Sequence, residues 1–187
     1  MDGVMDNPFE RFGIAPIFDI DEPHLAETFR RLQRVVHPDR HAGGSEQERQ
    51  RSVEQAAAVN EAFRTLRDPV RRARCLLALR GVDTQEGVRT FRDPVFLMDQ
   101  MELRARLEEA REAPDPLGLL SEVKEVLQKR RVALIGEVSG FLRQDTPESL
   151  GQAAERVRRL GFFERIAEEA NLLEERLTDC LPRGGMD

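Results

Sequence analysis

The sequence predicts an all-α protein, and three observations carry that expectation. Apolar residues recur at spacings of three and four along most of the 187-residue chain, the pattern of helices that bury one face. No stretch keeps the two-residue alternation of a half-buried strand beyond a few positions. Proline and capping residues punctuate the chain where such helices would begin and end.

From the N-terminus, Asn7-Pro8 caps a short helix over Pro8–Phe12, followed by a connector from Gly13 to Ile20. Asp21 or Glu22 caps the next helix, with Pro23 in its first turn, where a missing N–H costs nothing. Leu25, Phe29, Leu32 and Val36 form its apolar face, while Glu27, Arg30, Arg31 and Arg34 gather opposite. That helix must stop near His37, because a residue before proline is pushed out of the α region. After the polar turn His41-Ala42-Gly43-Gly44, Ser45-Glu46-Gln47-Glu48 reads as a capping box. The helix it opens presents Ser52, Ala56, Val59, Phe63 and Leu66 as a seam for an antiparallel neighbour. Asp68-Pro69 ends it and starts another helix over Pro69–Arg80, with Gly81 as the terminating residue.

Residues 82–92, rich in glycine, threonine and charge, read as a linker between domains at 1–81 and 93–187. Three longer helices follow. The first runs from Asp93/Pro94 to about Arg111, where Pro114-Asp115-Pro116 breaks it. The second runs from Pro116 to Phe141, with Leu120, Val123, Leu127, Leu134, Val138 and Phe141 as its stripe. Thr146-Pro147 caps the third, whose stripe passes through Ala153, Val157, Leu160, Phe163, Ile166, Ala170, Leu173 and Leu177 toward Leu181. Short connections make consecutive helices antiparallel, so this half is expected to be a three-helix bundle.

Charge narrows the function classes. Residues 1–81 hold 13 basic and 13 acidic groups, so the net charge of −6 falls entirely in the second half. An acidic half without a lysine/arginine block argues against nucleic-acid or membrane-surface binding. Only Lys124 and Lys129 interrupt an otherwise all-arginine basic set. Cys75 and Cys180 are isolated in apolar helical contexts, with no CxxC pair, so inert thiols are expected rather than a redox or zinc site. Met1–Asp6 is acidic and lacks a leader pattern, and no apolar run approaches the roughly 18–20 residues of a membrane helix. The expectation is a cytoplasmic protein with no metal and no cofactor.

Two constellations stand out. His37-Pro38-Asp39-Arg40 lies at the tip of the hairpin formed by the second and third helices. Pro38 stiffens the tip, Asp39 is an acceptor-only carboxylate suited to a partner's arginine, and His37 follows a helix C-terminus, where a positive ring is favoured. Arg34 lies one turn earlier, on the solvent face with Arg30 and Arg31. The bland alternative is a turn whose Asp39 bonds the local backbone.

The second constellation is an apolar excess on the helix starting at Pro94. With Phe96 at 0°, Leu103, Leu107 and Ala110 fall within about 40° of it and define the core stripe. Leu97, Met98, Met101 and Ala105 fall between about 100° and 200°, ringed by Glu102, Arg104 and Glu108. Four neighbouring apolar residues inside a charged ring read as a binding patch, and methionine suits an adaptable one. The alternative is that the linker or the N-terminal domain covers this face.

The hairpin with its His-Pro-Asp tip resembles the J-domain, the module that docks on DnaK-type chaperone ATPases and stimulates them. Residue by residue, the resemblance carries chaperone binding to His37, Pro38, Asp39, Arg30, Arg34 and Arg40. Three strings extend it: Val59-Asn60-Glu61-Ala62-Phe63-Arg64-Thr65-Leu66, Leu76-Leu77-Ala78-Leu79-Arg80-Gly81 and Phe96-Leu97-Met98-Asp99-Gln100-Met101-Glu102-Leu103-Arg104. These are similar to the HscB family of iron–sulfur-cluster co-chaperones, over nearly the whole chain and in the right order. The resemblance implies that the C-terminal bundle binds the cluster scaffold protein IscU through Leu97, Met98, Met101, Glu102, Arg104 and Phe162. It also implies delivery of that scaffold to HscA, a dedicated DnaK-type chaperone. Ala105 departs from the acidic residue usual in relatives, Cys75 stands where an aromatic is usual, and the paired N-terminal cysteines of eukaryotic relatives are absent.

An enzyme is the rival class. His37 with Asp39, or His24, His37 and His41 as metal ligands, could be posed as a site. Pro38 keeps His37 and His41 off one helical face, and His24 lies more than three turns earlier. No nucleophile elbow, P-loop or dinucleotide turn occurs, so no enzymatic activity is expected. A general J-domain co-chaperone with another client is the remaining alternative, but the Gly/Phe-rich segment usual in that class is missing.

Overall fold

Helices in this chain begin where a side chain can satisfy their free N–H groups, and seven of them, with no strand, occur among the described residues. The computed structural model describes residues 7–36, 45–84 and 93–180. Helix α1 (Pro8–Phe12) is capped by Asn7, whose side chain accepts from the Phe9 N–H at 3.0 Å. Asp21 accepts from His24 at the start of α2 (Glu22–Val36) at 3.0 Å. Ser45 and Glu48 close the expected capping box on α3 (Glu46–Arg67), with Glu48 N–H donating to Ser45 Oγ at 3.3 Å. Asp68 serves two helices: its N–H closes α3, and its carboxylate accepts from Val70 and Arg71 to open α4 (Pro69–Leu79). Gly81, at φ 73°, ends α4 with bonds from Gly81 N–H to Ala78 and from Val82 N–H to Leu77, the Schellman arrangement that favours glycine.

Asp93 caps α5 (Pro94–Glu112), accepting from Val95 at 3.0 Å and Phe96 at 3.3 Å. Asp115 accepts from Gly118 in the first turn of α6 (Pro116–Gln144). Thr146 and Ser149 cap each other reciprocally at the start of α7 (Pro147–Cys180). The expected helices are therefore all present, with α6 running three residues beyond Phe141.

The chain divides into two units. One comprises Met1–Asp83 with Ser139–Ala154, and the other Thr84–Val138 with Glu155–Asp187. In the first, α3 packs against α1, α2 and α4. Phe9, Leu25, Leu66, Val70, Leu76 and Leu77 are fully buried there. The Phe29 and Phe63 rings stack at 3.9 Å, fastening α2 to α3. Arg72, also buried, donates to the Leu66 carbonyl at 2.6 Å and lies 5.0 Å from the Phe18 ring. Burial lowers its pKa, and the charges of Glu22, Asp19 and Asp68 oppose that shift.

The units are not the consecutive stretches expected from the linker. The α6–α7 turn, with the helix ends beside it, belongs to the N-terminal unit. Asp19 accepts from Ser139 Oγ and Arg143 Nε, both at 2.9 Å, and Arg80 pairs with Asp145. Asp145 holds φ 52° at the end of α6, a left-handed setting that aspartate tolerates better than most residues.

In the second unit, α5, α6 and α7 share one core. Phe96, Leu103, Leu107 and Ala110 meet Leu120, Val123 and Leu127 from α6 and Phe162, Phe163, Ile166 and Ala170 from α7. Leu103→Ala or Leu107→Ala is therefore expected to lower unfolding free energy by about 2–5 kcal/mol, read from urea denaturation. A near-neutral result for both would mean that the buried side of α5 has been assigned wrongly.

Candidate functional site

Two surfaces carry the sequence candidates. On α2, Arg30, Arg31 and Arg34 are all exposed, opposite buried Leu25. The end of this helix is set by α3: Ser52 Oγ donates to the Val36 carbonyl at 2.9 Å, and Gln33 donates to Asn60 at 3.4 Å. The first of these bonds satisfies one of the last-turn carbonyls, which have no partner within their own helix. His37, Pro38, Asp39 and Arg40 lie outside the described residues.

On α5 the expected division into two faces is present. Leu97, Met98 and Met101 are 41%, 71% and 73% exposed, while Phe96, Leu103 and Leu107 on the same helix are buried. Neighbouring Ala105 is exposed as well. The patch is rimmed by Glu102, paired with Arg106 at 2.9 Å, and by Arg104. Val95, 70% exposed, extends it, and the sequence reading missed this residue. On the projection above it falls at about 260°, beside Glu102 at about 240° and one turn before Met98. The signal was present but hidden at the helix start, behind Pro94.

Phe162 needs correction. The resemblance places it among the scaffold contacts, but its side chain is only 3% exposed. Its ring meets Phe96 and Phe163 edge-on, each at 5.7 Å. The Arg104 guanidinium lies 5.6 Å from its centroid. Phe162 is thus a core residue that supports Arg104 from beneath. The physical reason is position: it lies on the α7 face that packs against α5, beside Phe163 and in one core with Phe96.

Arginines also lie over the other two rings of this trio. Arg159 sits 5.0 Å from Phe96 and bonds Asp93 at 2.9 Å; Arg130 sits 5.8 Å from Phe163 and pairs with Asp99. The Asp93 carboxyl is held below the usual carboxylate range, chiefly by the Phe96 N–H, with Val95 N–H and Arg159 adding to it. No periodicity argument could have found these pairs, which join different helices. Cys75 is half-buried, and burial pushes its thiol pKa up, away from the reactive thiolate.

Among the described residues no helix is long and apolar enough to cross a membrane. What the two surfaces offer is recognition: a cationic helix face, and an apolar strip with a charged rim.

Comparison with known proteins gives a consistent result. Residues 92–171 match the family model described as HSCB C-terminal oligomerisation domain. The chain is 41% identical, over 92% of its length and 99% of the relative's, to the co-chaperone protein HscB homolog of Shewanella sp. (strain MR-4). The counterpart from Shewanella baltica (strain OS185) is 40% identical over the same shares. Among solved structures, chaperone HscB from Vibrio cholerae superposes with a TM-score of 0.76 at 36% identity, covering 91% of this chain and 99% of that one. The human co-chaperone protein HscB superposes with a TM-score of 0.81 at 26% identity, covering 93% and 84%.

Proposed function

Since the chain belongs to the HscB family of co-chaperones, we propose that it carries an iron–sulfur scaffold protein of the IscU type to a DnaK-type chaperone of the HscA type. The scaffold docks on the exposed face of α5. Leu97, Met98 and Met101 form the apolar centre of that interface, and Glu102 and Arg104 form its polar rim. Phe162 contributes from below, through Arg104. The cluster is the scaffold's cargo, so this chain needs no cofactor of its own.

The His37-Pro38-Asp39 motif engages the chaperone, with Arg30, Arg34 and Arg40 supplying the positive field that steers the encounter. Stimulation of ATP hydrolysis needs no chemistry from this chain, which therefore acts in the cytoplasm as an activator and not as an enzyme. It need only bind the hydrolytic arrangement of the chaperone more tightly than the resting one.

The observation that carries this reading is the pairing, on one helix, of a fully buried stripe with the exposed strip Leu97, Met98 and Met101. The test is a steady-state ATPase assay with the chain, a DnaK-type partner and the scaffold protein. No turnover is expected from the chain alone, stimulation with the partner, and greater stimulation when scaffold is added. A scaffold that neither binds the chain in titration calorimetry nor raises the rate would refute it.

A further inference from the structure

The α5 strip is only as useful as the rotational setting of its helix, and one side chain in the second unit, outside the strip, contacts both α5 and α7. Arg130 on α6 embraces Asp99 on α5 with both terminal nitrogens, Nη1 to Oδ2 and Nη2 to Oδ1, the latter at 3.2 Å. Its guanidinium also lies 5.8 Å from the Phe163 ring on α7. One side chain therefore touches all three helices of the bundle. Asp99 stands between Met98 and Met101 in sequence, but on the projection it falls at about 300°, on the flank of the core stripe away from Leu97.

Hydrophobic packing is non-directional and tolerates a small roll of α5 against its neighbours. A bidentate guanidinium–carboxylate pair does not, because both bonds are lost together when the helix turns. The pair is partly desolvated, each side chain being 31% exposed, so it is screened less than the i,i+4 pairs on the surface. At the first turn a single bond, from Arg159 Nη2 to Asp93 at 2.9 Å, also ties α5 to α7.

We propose that Arg130 is a positioning residue for scaffold docking: through Asp99 and Phe163 it presets the roll of α5, so that Leu97, Met98 and Met101 are presented together before the partner arrives. The inference rests on the docking role of the α5 strip stated above. It adds a residue on a different helix that acts without touching the partner. Preorganisation of this kind enters the affinity directly, because the ordering is complete before binding.

The test is titration calorimetry of a purified IscU-type scaffold protein against the full-length chain. The variants are Arg130→Met, Asp99→Asn, the double variant, the charge swap Asp99→Arg/Arg130→Asp, and Leu97→Ala as a control for docking. Arg130→Met and Asp99→Asn are each expected to weaken binding about five- to tenfold, with the double variant no weaker than either single, as for a shared interaction. The charge swap should recover much of the loss, which a role confined to general stability would not produce. Asp99→Asn keeps the side-chain shape and carries the test should Arg130→Met fold poorly. Normal binding by Arg130→Met or Asp99→Asn, with Leu97→Ala weakened, overturns the positioning role and leaves the docking role standing. Weakening by Asp99→Asn alone, with Arg130→Met normal, means that Asp99 touches the partner and also overturns it. Normal binding by Leu97→Ala along with the others removes the docking reading and this proposal together.

Discussion

Asp39→Asn is expected to abolish stimulation of the partner chaperone's ATPase while leaving the melting temperature of the chain unchanged. Asparagine keeps the size and the acceptor oxygen of aspartate but loses the charge. A carboxylate can accept two parallel bonds from a partner's guanidinium, and the amide cannot. Breaking one member of a buried, hydrogen-bonded charge pair costs about 2–5 kcal/mol, which is roughly a thirtyfold to several-thousandfold loss in affinity. Because activation depends on the difference in affinity between two chaperone states, losing a contact made in one of them removes the effect itself. Arg30→Ala and Arg34→Ala should behave differently, slowing association in a salt-dependent way because exposed charges act through a screened field. Full stimulation by Asp39→Asn would take Asp39 out of the mechanism.

The triple replacement of Leu97, Met98 and Met101 by alanine is expected to eliminate measurable scaffold binding while barely changing stability. Met98 and Met101 are already largely in water in the free protein, and Leu97 is 41% exposed, so truncating either methionine should alter unfolding free energy by no more than about 0.5 kcal/mol, and truncating Leu97 by less than a core residue. In the complex they would form the dry centre of the interface, where alanine truncations typically cost about 1–2 kcal/mol or more apiece. Even with imperfect additivity, a loss beyond about a hundredfold follows. Leu103→Ala supplies the opposite pattern, since Leu103 is buried on the same helix. Its cost should fall on stability. If the triple variant instead lost about 2–5 kcal/mol of stability, the strip would be core and the proposed interface would not exist.

Much of this site was legible in the sequence because helix periodicity is a local property. The positions of Phe96, Leu103, Leu107 and Ala110 define one face by spacing alone, and all four are buried. The excess of Leu97, Met98 and Met101 on the other side follows from the same arithmetic. Caps were equally readable, since Asn7, Ser45, Asp68 and Asp93 act on N–H groups two or three residues away. Phe162 marks the limit. Phe162 and Phe163 are adjacent aromatics on α7, and spacing could not say that both rings would turn into one trio with Phe96. Only the packing of α7 on α5 decides that.

The amino-acid order by itself determined where the seven helices of the described residues start and, within about a turn, where they stop, which side of α5 is greasy beyond need, and the family to which the chain belongs. Those properties depend on residues within a few turns of one another, and on motif strings that survive without any coordinates. The tertiary structure decided the rest. It joins Arg130 to Asp99 across 31 residues and Ser139 to Asp19 across 120, assigning the α6–α7 turn to the N-terminal unit. It also makes Phe162 a support for Arg104 instead of a contact in its own right. The physical reason is that a helical repeat specifies that a face must be covered but not by what; directional ion pairs and ring contacts between distant segments select the cover, and their partners share no period.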